Sequence, residues 1–144
     1  MSFYAYSPIA GGLLVKDSAG LRSREIEGRF GGKTALGDLY PKMYGKECMY
    51  QAVDEWGAIA KAAGISKASL AYRWVVYHGA LEKEEGDGVI IGASKVEQLE
   101  ETLRAIEAGP LEGWVAKRAG DVWEMVREEA PGEEQIIEYL SPKT

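Results

Sequence analysis

The sequence has a single cysteine, Cys48, and a single histidine, His78. One cysteine excludes an internal disulfide and any cysteine-based metal cluster, and makes a reducing interior such as the cytoplasm the expected setting. No metal site is expected. No apolar run approaches the roughly 18 residues that a membrane span requires. Met1 is not followed by the charged and apolar stretches of a signal peptide, so no membrane partner is expected. Basic residues are also in deficit: 17 Lys and Arg stand against 23 Asp and Glu, a net charge of -6. That balance argues against nucleic acid or an anionic membrane surface as the main partner. What is present is an ordinary globular composition, 46% hydrophobic and 28% charged over 144 residues. It is enough for one domain with a real core.

The most informative stretch runs from Gly86 to Leu103. Val89, Ile90 and Ile91 are a β-branched run with apolar residues on both faces, the pattern of a buried parallel strand. Gly92 ends it. Ser94 and Glu97 then have the spacing of a capping box, in which the serine hydroxyl accepts from the Glu97 N–H and the carboxylate reaches back. A strand that turns directly into a helix leaves unpaired N–H groups at the helix start. Together with the helix dipole, these favour a phosphate or other anion.

Upstream, Phe3 to Ser7 reads as a strand stopped by Pro8, and nothing before it is expected to pair with it. The Gly11-Gly12 pair then permits positive φ and close approach of a ligand. Residues 15–48 are expected to form a long glycine-rich loop, a length that goes with lids or with disorder. Ala52, Trp56, Ile59, Ala60 and Ala63 have helical spacing up to Gly64, and Ser66 caps a second helix that ends at Gly79. A third helix from Lys95 carries Val96, Leu99, Leu103 and Ile106 on one face and ends at Gly109. Pro110 is placed to start the fourth, whose expected core stripe is Leu111, Trp114, Val115, Val122, Trp123 and Val126. The order strand, loop, two helices, strand, two helices predicts a helix-rich α/β fold with two short parallel strands and about four helices. Residues 1–131 form the domain. Residues 132–144 form an acidic tail with Ile136, Ile137, Tyr139 and Leu140 as its anchors. No internal repeat interrupts this order.

Several of these segments, taken together and in order, carry a resemblance. They are Phe3 to Leu14, Gly28-Arg29-Phe30, Ala71-Tyr72-Arg73-Trp74 with Tyr77-His78, Gly86 to Ser94 with Glu97-Gln98-Leu99, and Glu107 to Leu111. From about Ser2 to Pro131 the chain resembles the aldo-keto reductases, and within them the aflatoxin-aldehyde-reductase-like branch. The resemblance implies the C-terminal part of a (β/α)8 barrel, its last two strands with the helices that follow. It also implies part of an NADP(H) site. Ser7, Ile9, Gly11 and Leu13 would lie along the pyrophosphate, Arg29 would belong to a loop over the cofactor, and Ser94, Lys95 and Gln98 would hold the 2′-phosphate. Two positions depart from the family pattern. Gln98 stands where many members have Arg, losing a bidentate charged contact that Lys95 could replace, and Thr102 stands where Asn is usual.

The family reduces carbonyls with an Asp, Tyr, Lys and His group from the first half of the barrel, and the resemblance places none of these in this chain. His78 falls on a helix outside the barrel. The chain is therefore expected not to be a competent reductase alone. Two other readings follow. In one, it is a cofactor-independent isomerase, cyclase or dehydratase acting on an aromatic or polyketide-like carbonyl compound. Its acid–base groups would come from Tyr40, Tyr44 and Tyr50 near Asp38, with Tyr4, Tyr6 and His78. In the other it is a pseudoenzyme or assembly partner. A two-stranded sheet with open edges is not stable by itself, so a homo-oligomer is expected, with Phe3–Tyr6 and Val89–Ile91 at or near the contact.

Overall fold

Capping side chains and left-handed glycines set most of the element boundaries. The computed structural model describes residues 1–24, 30–31, 39–132 and 137. Strand β1 is Tyr4–Ala5 and strand β2 is Gly88–Val89. They pair in parallel, with Tyr4 opposite Gly88 and Ala5 opposite Val89. Six helices accompany them among the described residues: α1 Ser18–Ser23, α2 Leu39–Tyr44, α3 Glu47–Ala62, α4 Lys67–His78, α5 Val96–Glu107 and α6 Gly113–Val126. Short 3-10 turns occupy Ala10–Val15 and Lys83–Glu85. The predicted helix-rich α/β fold with two parallel strands is observed, with six helices among the described residues where about four are expected.

The main core lies among α3, α4 and α6. Trp56, Ile59 and Ala60 of α3 meet Leu70 and Ala71 of α4 and Val115, Ala119 and Val122 of α6, with Leu111 beside them. Ile59 and Leu70 are completely buried. The indoles in and around this core have their N–H groups satisfied: Trp56 donates to the Lys67 carbonyl at 3.2 Å and Trp74 to the Ala116 carbonyl at 2.9 Å. A smaller core of Leu13, Leu21, Phe30 and Val53 seats the N-terminal segment on α3.

Several boundaries agree with the sequence reading. Gly64 follows α3 at φ 67°, Gly109 follows α5 at φ 81°, and the Ser66 hydroxyl accepts the Ser69 N–H at 3.0 Å to cap α4. Others need correction. The strands are shorter than predicted, and neither is buried within this chain: Phe3, Tyr4, Tyr6 and Ile90 are all exposed. Among the described residues the sheet has two strands, too few to cover its faces. Residues 15–48 are not one loop, because α1 and α2 lie within them. Asp17 starts α1 by accepting the Gly20 N–H at 2.7 Å. Pro110 does not open α6, which begins at Gly113 with Glu112 as its N-cap. Instead, the carbonyls of Gly109 and Pro110 accept from Arg73 Nε and Nη2 at 2.7 and 2.8 Å.

The shared apolar face of α5 is left open. No residue of α5 is buried, and Val96, Leu99 and Leu103 are exposed. On α6, Trp114 and Trp123 flank the buried stripe rather than join it. Arg29, Asp38, Ile136, Tyr139 and Leu140 lie outside the described residues, and Ile137 is exposed.

Candidate functional site

Two segments nearly ninety residues apart in the chain face each other across a cleft of about 580 Å3. One wall is the turn leaving β1, with Ser7, Ile9 and Gly11. The other is the segment from Ile90 to Gln98 that leaves β2 and enters α5, with Gly92, Ser94 and Gln98 at the opening. The parallel pairing of β1 and β2 puts the two turns at the same end of the sheet, which brings these walls together. Fixing α5 against α4 completes the arrangement. Tyr77 donates its hydroxyl to the Ile106 carbonyl at 2.6 Å, and His78 Nε2 accepts the Leu111 N–H at 3.0 Å.

The first wall has an unusual backbone. Ser7 and Ala10 have φ of 56° and 49°, and Gly11 and Gly12 follow at 66° and 105°. A non-glycine residue in this region costs roughly 1 kcal/mol, so the turn has to be held by its surroundings. Three internal bonds do this. The Ala10 N–H donates to the Ser7 carbonyl at 2.8 Å, the Gly11 N–H to Ser7 Oγ at 2.8 Å, and the Gly12 N–H to the Ile9 carbonyl at 2.9 Å. Behind the turn lies the Tyr40 ring, so close that a β-carbon at Gly11 would overlap it. Among the described residues, the Ser7 hydroxyl accepts this bond but donates none, which leaves its proton for a ligand.

The second wall corrects the predicted capping box. The N-cap of α5 is Lys95, which makes no side-chain cap bond, and Ser94 stands one residue before it. The Ser94 hydroxyl and N–H both donate to Gln98 Oε1, at 3.1 and 3.2 Å, and Glu97 is not the partner. Glutamine one turn further on reaches back because the helix starts one residue later than the serine spacing implies. The positive end of the α5 dipole and the Lys95 ammonium both favour an anion here. An anion would compete with Gln98 Oε1 for the two Ser94 donors. Thr102 is directed inward along the helix, donating its hydroxyl to the Gln98 carbonyl at 2.9 Å.

Of the residues predicted to hold a cofactor, Ser7, Ile9, Gly11, Ser94 and Gln98 line this one cleft. Leu13 does not: it is buried in the smaller core. Lys95 stands at the rim of the helix start rather than in the wall. Tyr72, to which the sequence reading gives no role, does line the cleft. It is 3% exposed, and burial raises its phenol above the ordinary tyrosine value, so the hydroxyl stays protonated. Its place in an apolar helical stripe disguises it as core.

Of the acid–base candidates, Tyr6 is exposed and lines the cleft and Tyr4 is exposed beside it, whereas Tyr40, Tyr44 and Tyr50 are engaged in packing. Tyr40, Tyr44 and Phe30 form an aromatic cluster with centroids 5.2 to 6.2 Å apart. Burial, with a contribution from Tyr40, raises the Tyr44 phenol. Tyr50 lies under the Arg22 guanidinium at 4.6 Å, and Arg22 also pairs with Glu47. Among the described residues no cluster of His, Cys, Asp and Glu is arranged to hold a metal ion, and no helix is long and apolar enough to cross a membrane. A second cavity, of about 490 Å3 between α3, α4 and α6, has no charged side chain in its wall. Apart from the Tyr44 phenol and the tryptophan indoles its wall is apolar. The cleft, by contrast, combines hydroxyl donors, a helix start and a volume suited to a small molecule.

Comparison with known proteins identifies the family. Residues 1–122 match the model of the aldo/keto reductase family. The chain is 39% identical over 132 residues to the oxidoreductase sirO of Leptosphaeria maculans, a match covering 90% of this chain and 39% of that protein. It is 37% identical over 129 residues to an aldo-keto reductase of Pseudocercospora fijiensis, covering 88% of this chain and 43% of the other. To aflatoxin B1 aldehyde reductase member 2 of Rattus norvegicus it is 36% identical over 143 residues, 91% of this chain and 37% of that one. The chain thus spans about two fifths of the length of these relatives. With a family match over most of its length, the chain belongs to the aldo/keto reductase family.

Proposed function

We propose that the cleft between the Ser7–Gly12 turn and the start of α5 is an NADP(H) site, held by Ser7, Ile9, Gly11, Ser94 and Gln98. The single observation behind this reading is that five residues selected by family resemblance, from two distant segments, line one cleft. The groups suit a dinucleotide phosphate. The paired glycines keep the backbone of one wall bare, and the Ser7 hydroxyl is a donor. The α5 N-terminus with Lys95 supplies positive potential where a 2′-phosphate would lie. Gln98 in place of Arg gives a hydrogen bond without a charge, so binding should be weaker than an arginine would give. Bound NADP(H) would supply hydride; this chain's own part is to hold and orient it.

The same reading treats the chain as a partial reductase wall. Hydride delivery to a carbonyl requires a proton donor at its oxygen. By resemblance, that donor belongs to a part of the family barrel that this chain does not span. The chain alone should therefore bind nucleotide without reducing carbonyl compounds, the class on which it would act if a second chain supplied the missing strands. The exposed Phe3, Tyr4, Tyr6 and Ile90 are where such strands, or a second copy in a homo-oligomer, would pack.

Titration with NADPH, followed by nicotinamide fluorescence, tests the site. Saturable binding that weakens in Ser94→Ala and Gln98→Ala is expected, and no binding at millimolar nucleotide would remove the reading. Light scattering tests the assembly: a stable monomer at micromolar concentration excludes the homo-oligomer.

A further inference from the structure

Tyr72 is a buried aromatic side chain whose surroundings its packing role does not explain. It sits on α4 and is 3% exposed. It lies where the 580 Å3 cleft meets a neighbouring cavity of about 270 Å3, and both cavities share Ile9, Gly92 and Gln98 with it. Buried phenol hydroxyls normally find a hydrogen-bond partner, because leaving one unpaired away from water is unfavourable. Among the described residues the Tyr72 hydroxyl has none, yet it is not a sealed, unsatisfied atom. The little surface this residue keeps therefore includes its polar end, and the residue lines both cavities. Two neighbouring hydroxyls donate locally: that of Ser94 to Gln98 Oε1 and that of Thr102 to the Gln98 carbonyl.

We propose that Tyr72 is a ligand-binding residue, whose hydroxyl donates a hydrogen bond to an acceptor oxygen of the nucleotide held in the cleft. This rests on the NADP(H) reading above and adds to it a donor on α4, an element that reading does not use. A neutral donor suits the place. Tyrosine kept in its protonated form by burial can donate to a phosphate or sugar oxygen without bringing a counter-charge into a half-enclosed cleft. Phenylalanine would fill the same space, so the hydroxyl serves binding and not packing.

Tyr72→Phe separates the two roles, because it removes one oxygen and nothing else. Expected is about a tenfold weaker NADPH affinity, the size of one lost hydrogen bond, with an unchanged or higher melting temperature. NADPH should also perturb the near-ultraviolet tyrosine absorbance of the wild-type protein, and this perturbation should vanish in the variant. Unchanged affinity in Tyr72→Phe overturns the proposal while leaving the cofactor site standing. A fall in melting temperature with unchanged affinity would show a structural hydroxyl and overturns it as well. Failure of the wild-type protein to bind NADPH removes both readings together, and is told apart from the other outcomes by the wild-type titration alone.

Discussion

His78 Nε2 accepts the backbone N–H of Leu111 at 3.0 Å, joining the end of α4 to the approach to α6 across 33 residues of sequence. The only histidine in the chain thus works as a neutral acceptor in a splice between helices, with Arg73 and Tyr77 holding adjacent carbonyls. His78→Phe leaves the N–H of a buried residue unpaired. We expect a loss of roughly 1–2 kcal/mol in urea unfolding, with His78→Gln restoring part of it through its amide oxygen. An unchanged midpoint in His78→Phe would show that the bond adds nothing to stability.

A second prediction concerns pH. The Asp87 carboxyl is held below its ordinary value by the Glu82 N–H and then by the Phe3 N–H, the latter at 2.7 Å on Oδ1. Its folded-state pKa lies below its unfolded one, so its contribution is complete above the ordinary carboxylate range. It is lost as pH falls through the lowered value. The melting temperature of the wild-type protein should fall more steeply below about pH 4 than that of Asp87→Asn. Parallel curves for the two proteins would contradict this.

Packing supplies a third. Ile59→Ala and Leu70→Ala, at fully buried positions, should each cost roughly 2–5 kcal/mol. Val96→Ala on the exposed face of α5 should be neutral or slightly stabilising, by up to about 0.5 kcal/mol, since alanine is the better helix former. A large loss at Val96, measured at a concentration where the protein is shown to self-associate, would mean that a second copy covers this face.

The glycine pair behind the cleft gives the fourth. Gly11→Ala meets both a left-handed φ and the Tyr40 ring, whereas Gly12→Ala has open space and meets only the φ. Gly11→Ala should be the more destabilising of the two by about 1 kcal/mol or more. In a Tyr40→Ala background that difference should disappear. Equal effects in the wild-type background would show that the ring does not support the turn.

The sequence made some of this legible, for reasons that differ by residue. Gly64, Ser66 and Gly109 could be read in advance because a left-handed exit or a hydroxyl cap is a local requirement that neighbouring residues fully determine. Pro110 and the Ser94–Glu97 pair misled for the opposite reason. Each has the right local chemistry, but distant partners decided the outcome: Arg73 takes the Pro110 carbonyl, and Gln98 takes Ser94. The stripe on α5 reads as amphipathic from its spacing, yet no spacing rule says whether a neighbour is present to cover it. Of the cleft, the two turns were visible as glycine and serine patterns. Tyr72 was not, because a tyrosine in a helical apolar stripe reads as packing until its hydroxyl is seen to lack a partner.

The pairing of β1 with β2 also has a kinetic consequence. Joining Phe3 to Asp87 closes a loop of 84 residues, at an entropic cost of roughly 4 kcal/mol before any contact is made. The sheet returns only a few bonds, among them Gly88 N–H to the Phe3 carbonyl and Ile90 N–H to the Ala5 carbonyl. Contacts among α3, α4 and α6 span shorter separations and bury the core, so the helices should assemble first and the cleft should close last. Pulse-labelled hydrogen exchange during refolding would then protect the Ile59 and Leu70 amides before those of Gly88 and Ile90; the reverse order would exclude this route. A nucleotide that binds both walls would act on this last step, shifting the balance between a formed helical body and a finished site.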